Sequence, residues 1–462
     1  MKLTARQKER LNRPRPFLFL VVLGLFGLPW IWLFRSGIQS RHQQTEMDSR
    51  AATFFAQFPT YQRNLSAQQF DVLGAYLGFF PNSVYGTSIQ VDTEAHQAYQ
   101  AIEPDLKAFL QNQVTKTSGS FDAPPPLLRD YLMRYGDRIA SAQAYLLANP
   151  IPRWDMDAVQ MSDPDYAFAS FANVRSMQNL LLTSAIAQAQ QGQNSAAIAA
   201  LEASWRLNQS MLQRPDLLSQ LTASIVSEQQ AGLLRHLSQV PERWQSRLIQ
   251  QAQTQSVLSG RQFDTWLQYK ISQQAFAATI YRSQADSGLS EKLMSVLAYW
   301  FSPSSYLQLA AIDTTQTAQR ALQDLSLLTV CSSTQHEAEG VLMQSKTARW
   351  NEATALVPAV TALRWKVAGD RALTLELTQK VLQAKQIFQA QGQWPDTLPE
   401  IASQACPGEY WVYEHSDTNG ITLSFSLDLA EAVSLSGLTP LRPVPLRYET
   451  RTTAVNLPVA PP

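Results

Sequence analysis

AQAQQGQNSAAIAALEASWRLN, residues 187–208, is the stretch that most clearly indicates how this chain folds. It predicts two helices joined by a turn at QGQNS, residues 191–195, which contains Gly192. Apolar residues recur at helical spacing on both sides of this turn. They are Phe171, Val174 and Leu181 before it, and Ile198, Leu201, Trp205 and Leu212 after it. We therefore expect an antiparallel helical hairpin.

Helical spacing continues outward in both directions from this hairpin. Upstream, DAPPP at 122–126 separates a helix predicted around 99–109 from another over about 127–148, and a loop is predicted at 153–166. Downstream, helices are predicted within 216–239, 241–282, 291–300, 304–330 and 337–391. The last is expected to break near Pro358 and Gly369. Most of the chain is thus predicted to be a helical array or bundle.

The pattern changes after residue 391. GQWPDTLPEI, residues 392–401, predicts a helix stop at Gly392 and Pro395. Two runs then flank SDTNG, namely EYWVYEH at 409–415 and ITLSFSLDL at 421–429, and the second alternates apolar and polar residues. The predicted fold is therefore mainly α, with a small C-terminal β-hairpin packed on the preceding helix.

The N-terminus reads as a membrane anchor. Residues 17–34, FLFLVVLGLFGLPWIWLF, contain no charge, and as a helix they would span about 27 Å, close to the bilayer core. Six Lys or Arg residues precede the segment, so the positive-inside rule places the N-terminus in the cytoplasm. A cleavable signal peptide is the alternative, but no A-x-A-like site follows. We expect a single-pass protein of the cytoplasmic (inner) membrane whose bulk is extracytoplasmic.

Composition limits the choice of partners. Net charge is zero and only 16% of residues are charged, with no basic cluster beside aromatics, so nucleic acid is not expected as a partner. At 462 residues the chain is long enough for one large or two medium domains. The predicted organisation is a cytoplasmic basic tail (1–16), the anchor (17–34), a stalk (35–66), a helical array (67–330), helices plus the β-hairpin (331–435) and a proline-rich tail (436–462).

No catalytic, nucleotide or zinc motif is found. The sequence lacks G-x-S-x-G, S-x-x-K, H-E-x-x-H, C-x-x-C, Walker and Rossmann patterns, so no catalytic residue, cofactor or metal site is assigned. The strongest acidic cluster is Asp155, Asp157, Asp163 and Asp165. Oxygen ligands of this kind suit calcium, but the spacing departs from an EF-hand. Asp residues that cap helices and turns, with Asp163-Pro164 at a helix start, are the favoured interpretation.

Two further sets of residues are candidate sites. His336, Glu337 and Glu339 could act in acid–base chemistry, but a solvated first helical turn is the simpler interpretation. Five tryptophans at helical positions could line a groove for a glycan or peptide, although core packing is favoured. They are Trp205, Trp244, Trp266, Trp300 and Trp350.

Only two cysteines are present, Cys331 and Cys406. In an exported domain they could oxidise to one disulfide that closes a long loop, and two buried free thiols are the alternative.

Two resemblances concern the array and the late helix. The stretch 187–208 resembles a tetratricopeptide unit, with small residues where its helices meet. AIAALEASWRLNQSMLQRPDLLSQLTASIV (197–226) and ALTLELTQKVLQAKQIFQAQGQWPDTLPEI (372–401) together resemble a family of uncharacterised bacterial membrane-anchored helical proteins. Members are similar in closing a late helix with G-x-[WY]-P-x-x-L, here Gly392, Trp394, Pro395 and Leu398. CPGEYWVYEH departs from the Asp-Pro-rich turn expected next. The family resemblance implies an anchor and a helical array, and no activity or cofactor.

Two functions are therefore kept open. The leading hypothesis is a membrane-tethered interaction or scaffold protein that binds a protein partner in the envelope, for example as a subunit of an envelope complex. The alternative is an envelope hydrolase acting on cell-wall or glycan substrate, which would need paired carboxylates roughly 5–10 Å apart in a cleft.

Overall fold

A computed structural model describes residues 42–81, 89–118, 120–163, 166, 171–251, 255–284, 303–329, 331, 351–416, 420–427 and 446–450. The predicted anchor, the basic tail before it and the predicted helix at 291–300 lie outside these residues. Within the described ranges, no helix combines the length and the apolar character needed to cross a bilayer.

The described part of the chain is mainly helical, which confirms the mainly α part of the predicted fold class. The helices are α1 (residues 42–55), α2 (Leu65–Tyr76), α3 (Thr93–Val114), α4 (Pro126–Ala148), α5 (Ala172–Gln190), α6 (Asn194–Leu212), α7 (Leu217–His236), α8 (Arg243–Gln251), α9 (Gln255–Gln284), α10 (Pro303–Ser326) and α11 (Glu352–Gln391). A short 3₁₀ helix, Gln160–Ser162, lies in the loop before α5. The strands are β1 (Trp411–Ser416), β2 (Gly420–Phe425) and β3 (Arg447–Thr450).

The predicted hairpin is confirmed as α5 and α6. Gly192 takes a left-handed φ of 77° in the turn, a conformation that glycine adopts without strain. Ser204 of α6 lies at the centre of three helices: its Oγ donates to Gln178 of α5 at 2.5 Å and accepts from Gln230 of α7 at 2.8 Å. All three polar side chains are buried. A small polar residue at this position therefore links α5, α6 and α7 through two buried hydrogen bonds.

Most of the segment predicted as a stalk is part of the body, so that prediction is wrong for residues 42–66. Met47, Ala51 and Phe55 share one face of α1 and are buried. The ring of Phe263 on α9 lies 5.4 Å from that of Phe55 and 5.1 Å from that of Phe58. The aromatic residues that interrupt the polar sequence thus form a cluster with α9 instead of projecting into solvent.

The predicted break in the late helix is also wrong. α11 is one helix of 40 residues that passes through Pro358 and Gly369. A proline inside a helix costs about 3 kcal/mol. Burial of Leu373, Leu377 and Val381 along the same helix offsets that cost, because each contributes roughly 1.5–3 kcal/mol. Tertiary packing therefore overrides the local signal.

The end of α11 is where the sequence placed it. Gly392 is left-handed with φ 73°, and its N–H donates to the carbonyl of Phe388 at 2.8 Å. The Trp394 ring then stacks on Phe388 with centroids 4.5 Å apart. The G-x-W-P sequence thus closes the helix through a left-handed residue and an aromatic contact.

The predicted β-hairpin is confirmed, and a third strand extends it. β1 pairs antiparallel with β2, which places Trp411 opposite Phe425. β3 pairs with the other edge of β2, so that Tyr448 lies opposite Leu423 and is buried. The sequence predicts no strand within 436–462, because the run at 447–450 is short and lies between proline-rich stretches. Packing of Tyr448 against Leu423 on the neighbouring strand stabilises β3 in the sheet.

The structure joins Cys331 and Cys406 in a disulfide whose Cα atoms are 5.5 Å apart, within the usual range for such bonds. Both cysteines belong to an apolar cluster with Leu377, Trp411 and Leu423. The bond therefore ties the chain after α10 to the loop before the sheet.

Two glycines provide a matched test of helix packing. Replacing Gly232 of α7 with alanine would place a Cβ 2.8 Å from a side-chain carbon of Val114 and 3.0 Å from its backbone. We expect this substitution to lower the free energy of unfolding by about 1–3 kcal/mol, because α3 and α7 must separate. Gly136 of α4 has open space around it, so Gly136→Ala should raise stability by about 0.5–1 kcal/mol. Urea denaturation of both variants checks the opposite signs. Equal effects would contradict the close approach.

Candidate functional site: a buried polar seam and an adjoining cleft

Three residues of α11 face α7 at seven-residue intervals, Arg371, Thr378 and Lys385, and we call them the buried seam. Arg371 donates to Glu228 at 3.2 Å and to Ser224 at 2.9 Å. Thr378 donates to the carbonyl of Ala231 at 3.3 Å. Since contacts along both helices advance in the same direction, α7 and α11 run parallel here.

The upper end of the seam contains charges in an apolar setting. Burial raises the pKa of Glu228 and lowers that of Arg371, while the ion pair between them opposes both shifts. Beside them, burial raises the pKa of Asp370 to about 6. Burial also lowers the pKa of Lys366, one turn earlier, whose Nζ is buried with no hydrogen-bond partner among the described residues. Asp370 can therefore exchange a proton near neutral pH.

The lower end of the seam is a lysine that caps α7. The Nζ of Lys385 donates to the carbonyls of Arg235 and Leu237, the latter at 2.8 Å. These carbonyls belong to the last turn of α7 and the residue after it, where a cation is favoured. The ring of Tyr448 lies 5.8 Å from the same ammonium. Lys385 thus connects α11, the end of α7 and β3.

Lys385 should make stability depend on pH. Burial lowers its pKa to about 7, whereas an unfolded lysine titrates near 10.4. Between these values the unfolded state binds one more proton, so the free energy of unfolding rises with pH. The gain should be about 2.5 kcal/mol between pH 6 and pH 9. Lys385→Met should remove this rise from urea denaturation curves, whereas Lys107→Met, at an exposed position on α3, should keep it. An unchanged pH dependence in Lys385→Met would contradict the prediction.

Two more ionisable residues of α11 hold the loop before the sheet. Glu376 accepts hydrogen bonds from Ser403 Oγ at 2.8 Å and from the backbone N–H of Gln404 at 2.8 Å. Lys380 donates to the carbonyl of Glu400. These bonds position the loop that carries Cys406. A structural role therefore accounts for the buried charges of Glu376 and Lys380.

A cleft of about 270 Å³ lies beside the turn between α6 and α7. Its apolar wall comes from the residues that follow α1, from the 153–166 loop, and from the end of α6 with the turn after it, and the remaining lining is polar or glycine. The lining residues are Phe58, Pro59, Met156, Leu212, Gln213, Arg214, Pro215, Gln220, Ser259 and Gly260. None of these is a carboxylate. The cleft thus offers apolar contact with a polar floor.

Internal bonds hold the polar floor of the cleft in place. Arg214 is buried, donates to Asp216 at 3.1 Å and to the carbonyl of Asp155 at 3.2 Å, and lies over the ring of Phe171. Gln220 is 5% exposed and donates through Nε2 to the carbonyls of Leu212 and Arg214. Its Oε1 is buried and accepts no hydrogen bond from the described residues. Gln220 is therefore held in one position by its amide donor, although its buried acceptor is unused.

Two carboxylates of the acidic cluster that the sequence shows accept hydrogen bonds from backbone N–H groups. Asp155 accepts from the backbone N–H of Arg63 at 2.8 Å, and Asp157 accepts from those of Val159 and Gln160. Asp163 follows the 3₁₀ helix and does not begin α5, so the predicted helix start there is wrong. Asp165 lies outside the described residues. Among those described, no three His, Cys, Asp or Glu side chains converge on a point that could hold a metal ion.

The tryptophans that are described pack within the body. Trp244 and Trp266 are buried, which confirms core packing for them. Trp205 is partly buried, and the guanidinium of Arg247 lies 3.8 Å from its ring centroid. Arg247 also makes two hydrogen bonds, 2.6 and 2.7 Å long, to Glu202. The positions of Trp300, Trp350, His336, Glu337 and Glu339 lie outside the described residues.

Comparison of the chain with protein-family models, with curated proteins and with solved structures returns no match. The likeness to tetratricopeptide units and to anchored bacterial helical proteins stays a prediction.

Proposed function

We propose that the chain is a membrane-tethered interaction protein of the bacterial envelope, and that its cleft binds an apolar segment of a protein partner. The cleft carries the proposal. Its apolar wall suits an aliphatic or aromatic side chain, the usual anchor of a peptide in a groove. At about 270 Å³ it is just below the roughly 300–1,000 Å³ of small-molecule pockets, which favours one anchor side chain over a whole ligand.

The polar floor of the cleft, formed by Arg214 and Gln220, is its second feature. The rigid setting of Arg214 and Gln220 means that little ordering is needed on binding, which favours affinity. A hydrolase would need a pair of carboxylates at such a cleft, and the lining contains none.

The proposal is tested by site-specific photo-crosslinking in cells that contain the full chain. A photoreactive phenylalanine derivative at exposed Gln213, at the cleft, should give one defined adduct with an envelope protein. The same probe at Met133, which is 70% exposed on α4, serves as the matched control and should not give that adduct.

Filling the cleft supplies the decisive comparison. Ser259→Trp places a large ring at an exposed lining position and should abolish the adduct, whereas Ser259→Ala should keep it. Both variants must show the thermal unfolding midpoint of the parent chain. An adduct that survives Ser259→Trp, or that forms equally from Met133, would refute the cleft as the binding site.

A further inference from the structure

The guanidinium of Arg214 has more hydrogen-bond donors than the fold uses. Its Nε donates to Asp216 at 3.1 Å, and its Nη1 donates to the carbonyl of Asp155 at 3.2 Å. A guanidinium carries five N–H donors, so these two bonds leave three donors without a partner among the described residues. Two of the three are on Nη2, which is not among the polar atoms that the fold closes off from solvent. Arg214 therefore keeps donors that a bound molecule can use.

These donors belong to a side chain that lines the cleft and is fixed in place. Arg214 is one of the lining residues, and only 5% of its side chain is exposed. Its guanidinium lies 4.8 Å from the centroid of the Phe171 ring, a contact that adds to its two hydrogen bonds. The unused donors therefore need little ordering when an acceptor enters the cleft.

The charges around the cleft favour an anionic acceptor. Among the lining residues, Arg214 carries a charge and none is a carboxylate. Asp216, the ion-pair partner of Arg214, also accepts hydrogen bonds from the backbone N–H and the hydroxyl of Ser219. Its negative charge is therefore shared among three donors at the start of α7. A carboxylate that enters the cleft would form charge-assisted hydrogen bonds with Arg214, which are roughly twice as strong as neutral ones.

We infer that the cleft binds the C-terminal residue of the partner chain, with its apolar side chain against the wall and its terminal carboxylate on Arg214. The inference rests on the proposed function and names the part of the partner that enters the cleft. In a protein chain, the C-terminal residue is the position where an apolar side chain and a carboxylate branch from the same carbon atom. That arrangement matches an apolar wall beside a buried guanidinium, and a volume of about 270 Å³ suits a single residue.

Two small compounds test the inference on the full-length chain in detergent micelles. N-acetyl-phenylalanine carries a carboxylate, and its matched control, N-acetyl-phenylalaninamide, carries a neutral amide on the same apolar body. Methyl-labelled methionine supplies the readout, because Met156 lines the cleft, whereas Met133 is 70% exposed on α4. We expect the NMR signal of the Met156 methyl to give a dissociation constant about tenfold lower for the acid than for the amide, and the Met133 signal to stay unchanged.

Two variants locate the effect. Arg214→Gln should make the acid and the amide bind equally, because it removes the charged donors. Since Arg214 also holds Asp155 and Asp216, a second variant acts without touching it. Ser259→Trp fills the cleft from an exposed lining position and should abolish the Met156 shift with both compounds.

The outcomes separate the inference from the proposed function. Equal dissociation constants for acid and amide in the parent chain would overturn the inference and leave the cleft as an apolar site, so the proposed function would stand. The absence of any Met156 shift would also overturn the inference, and crosslinking from Gln213 would then decide the proposed function separately. A shift that survives Ser259→Trp would place binding outside the cleft and would overturn the inference as well.

Discussion

Loss of the Cys331–Cys406 disulfide is expected to lower the free energy of unfolding by about 4.5 kcal/mol. The two cysteines are 75 residues apart in sequence, so the bond removes much of the loop entropy of the unfolded chain. Both are buried, Cys406 completely, and they lie within the apolar cluster beneath the sheet. Urea denaturation of the parent chain and of a Cys331→Ser/Cys406→Ser double variant measures the difference.

Reduction provides the control for this prediction. A thiol reductant present during unfolding should shift the denaturation midpoint of the parent chain toward that of the double variant, and should leave the double variant unchanged. If the parent keeps its midpoint under reducing conditions in which both thiols react with a labelling reagent, the bond does not contribute the expected stability. The same bond would persist only in an oxidising compartment, which accords with the proposed export.

The second large effect is expected at the ion pair between α7 and α11. Glu228→Ala leaves the Arg371 guanidinium buried without its carboxylate, which should cost about 3–5 kcal/mol. The side chain of Arg371 is only 8% exposed, so water cannot replace the lost partner easily. Its remaining bond to Ser224 supplies one acceptor for a group with five donors.

A double-mutant cycle separates the charge from the packing. Glu228→Leu combined with Arg371→Met removes both charges while it keeps apolar volume, and should cost less than Glu228→Ala alone. Glu228→Gln keeps an acceptor for Arg371 and should fall between them. Denaturation of the parent chain, of the single variants Glu228→Leu and Arg371→Met, and of their double variant at one pH gives the coupling energy. A double variant whose loss of stability equals the sum of the two single losses would show that the pair is not coupled.

The helices were predictable where one face of a segment is buried. The spacing of Ile198 and Leu201, and the Gly192 turn, predict α5 and α6 because burial of a regular stripe leaves a periodic pattern. The hairpin of β1 and β2 was predictable for the equivalent reason, since Ile421 and Leu423 alternate with polar residues. Local pattern sufficed because the elements concerned are adjacent in sequence.

The features that were not predicted depend on distant parts of the chain. Pro358 reads as a break, and only the packing of α11 against α7 and α10 makes that helix continuous. The cleft joins Phe58, Met156, Gln220 and Ser259, which are widely separated in sequence. A signal for the seam was present, because Arg371 and Lys385 are charged residues that lie among apolar residues at helical spacing in a chain with few charges. It could indicate burial, but not the partners on α7.

The seven-residue interval of the seam restricts how the protein can move. Sliding α11 along α7 by one helical turn, about 5.4 Å, would separate Arg371 from Glu228 and Lys385 from the end of α7 at the same time. Shear between these helices would break both contacts, so it is not expected as a response to a bound partner. A separate consequence concerns the sequence. Insertion or deletion of a single residue between positions 371 and 385 would rotate one contact by about 100° relative to the other. A rearrangement on binding must come from the turns that flank this rigid pair, and one of them, between α6 and α7, borders the cleft.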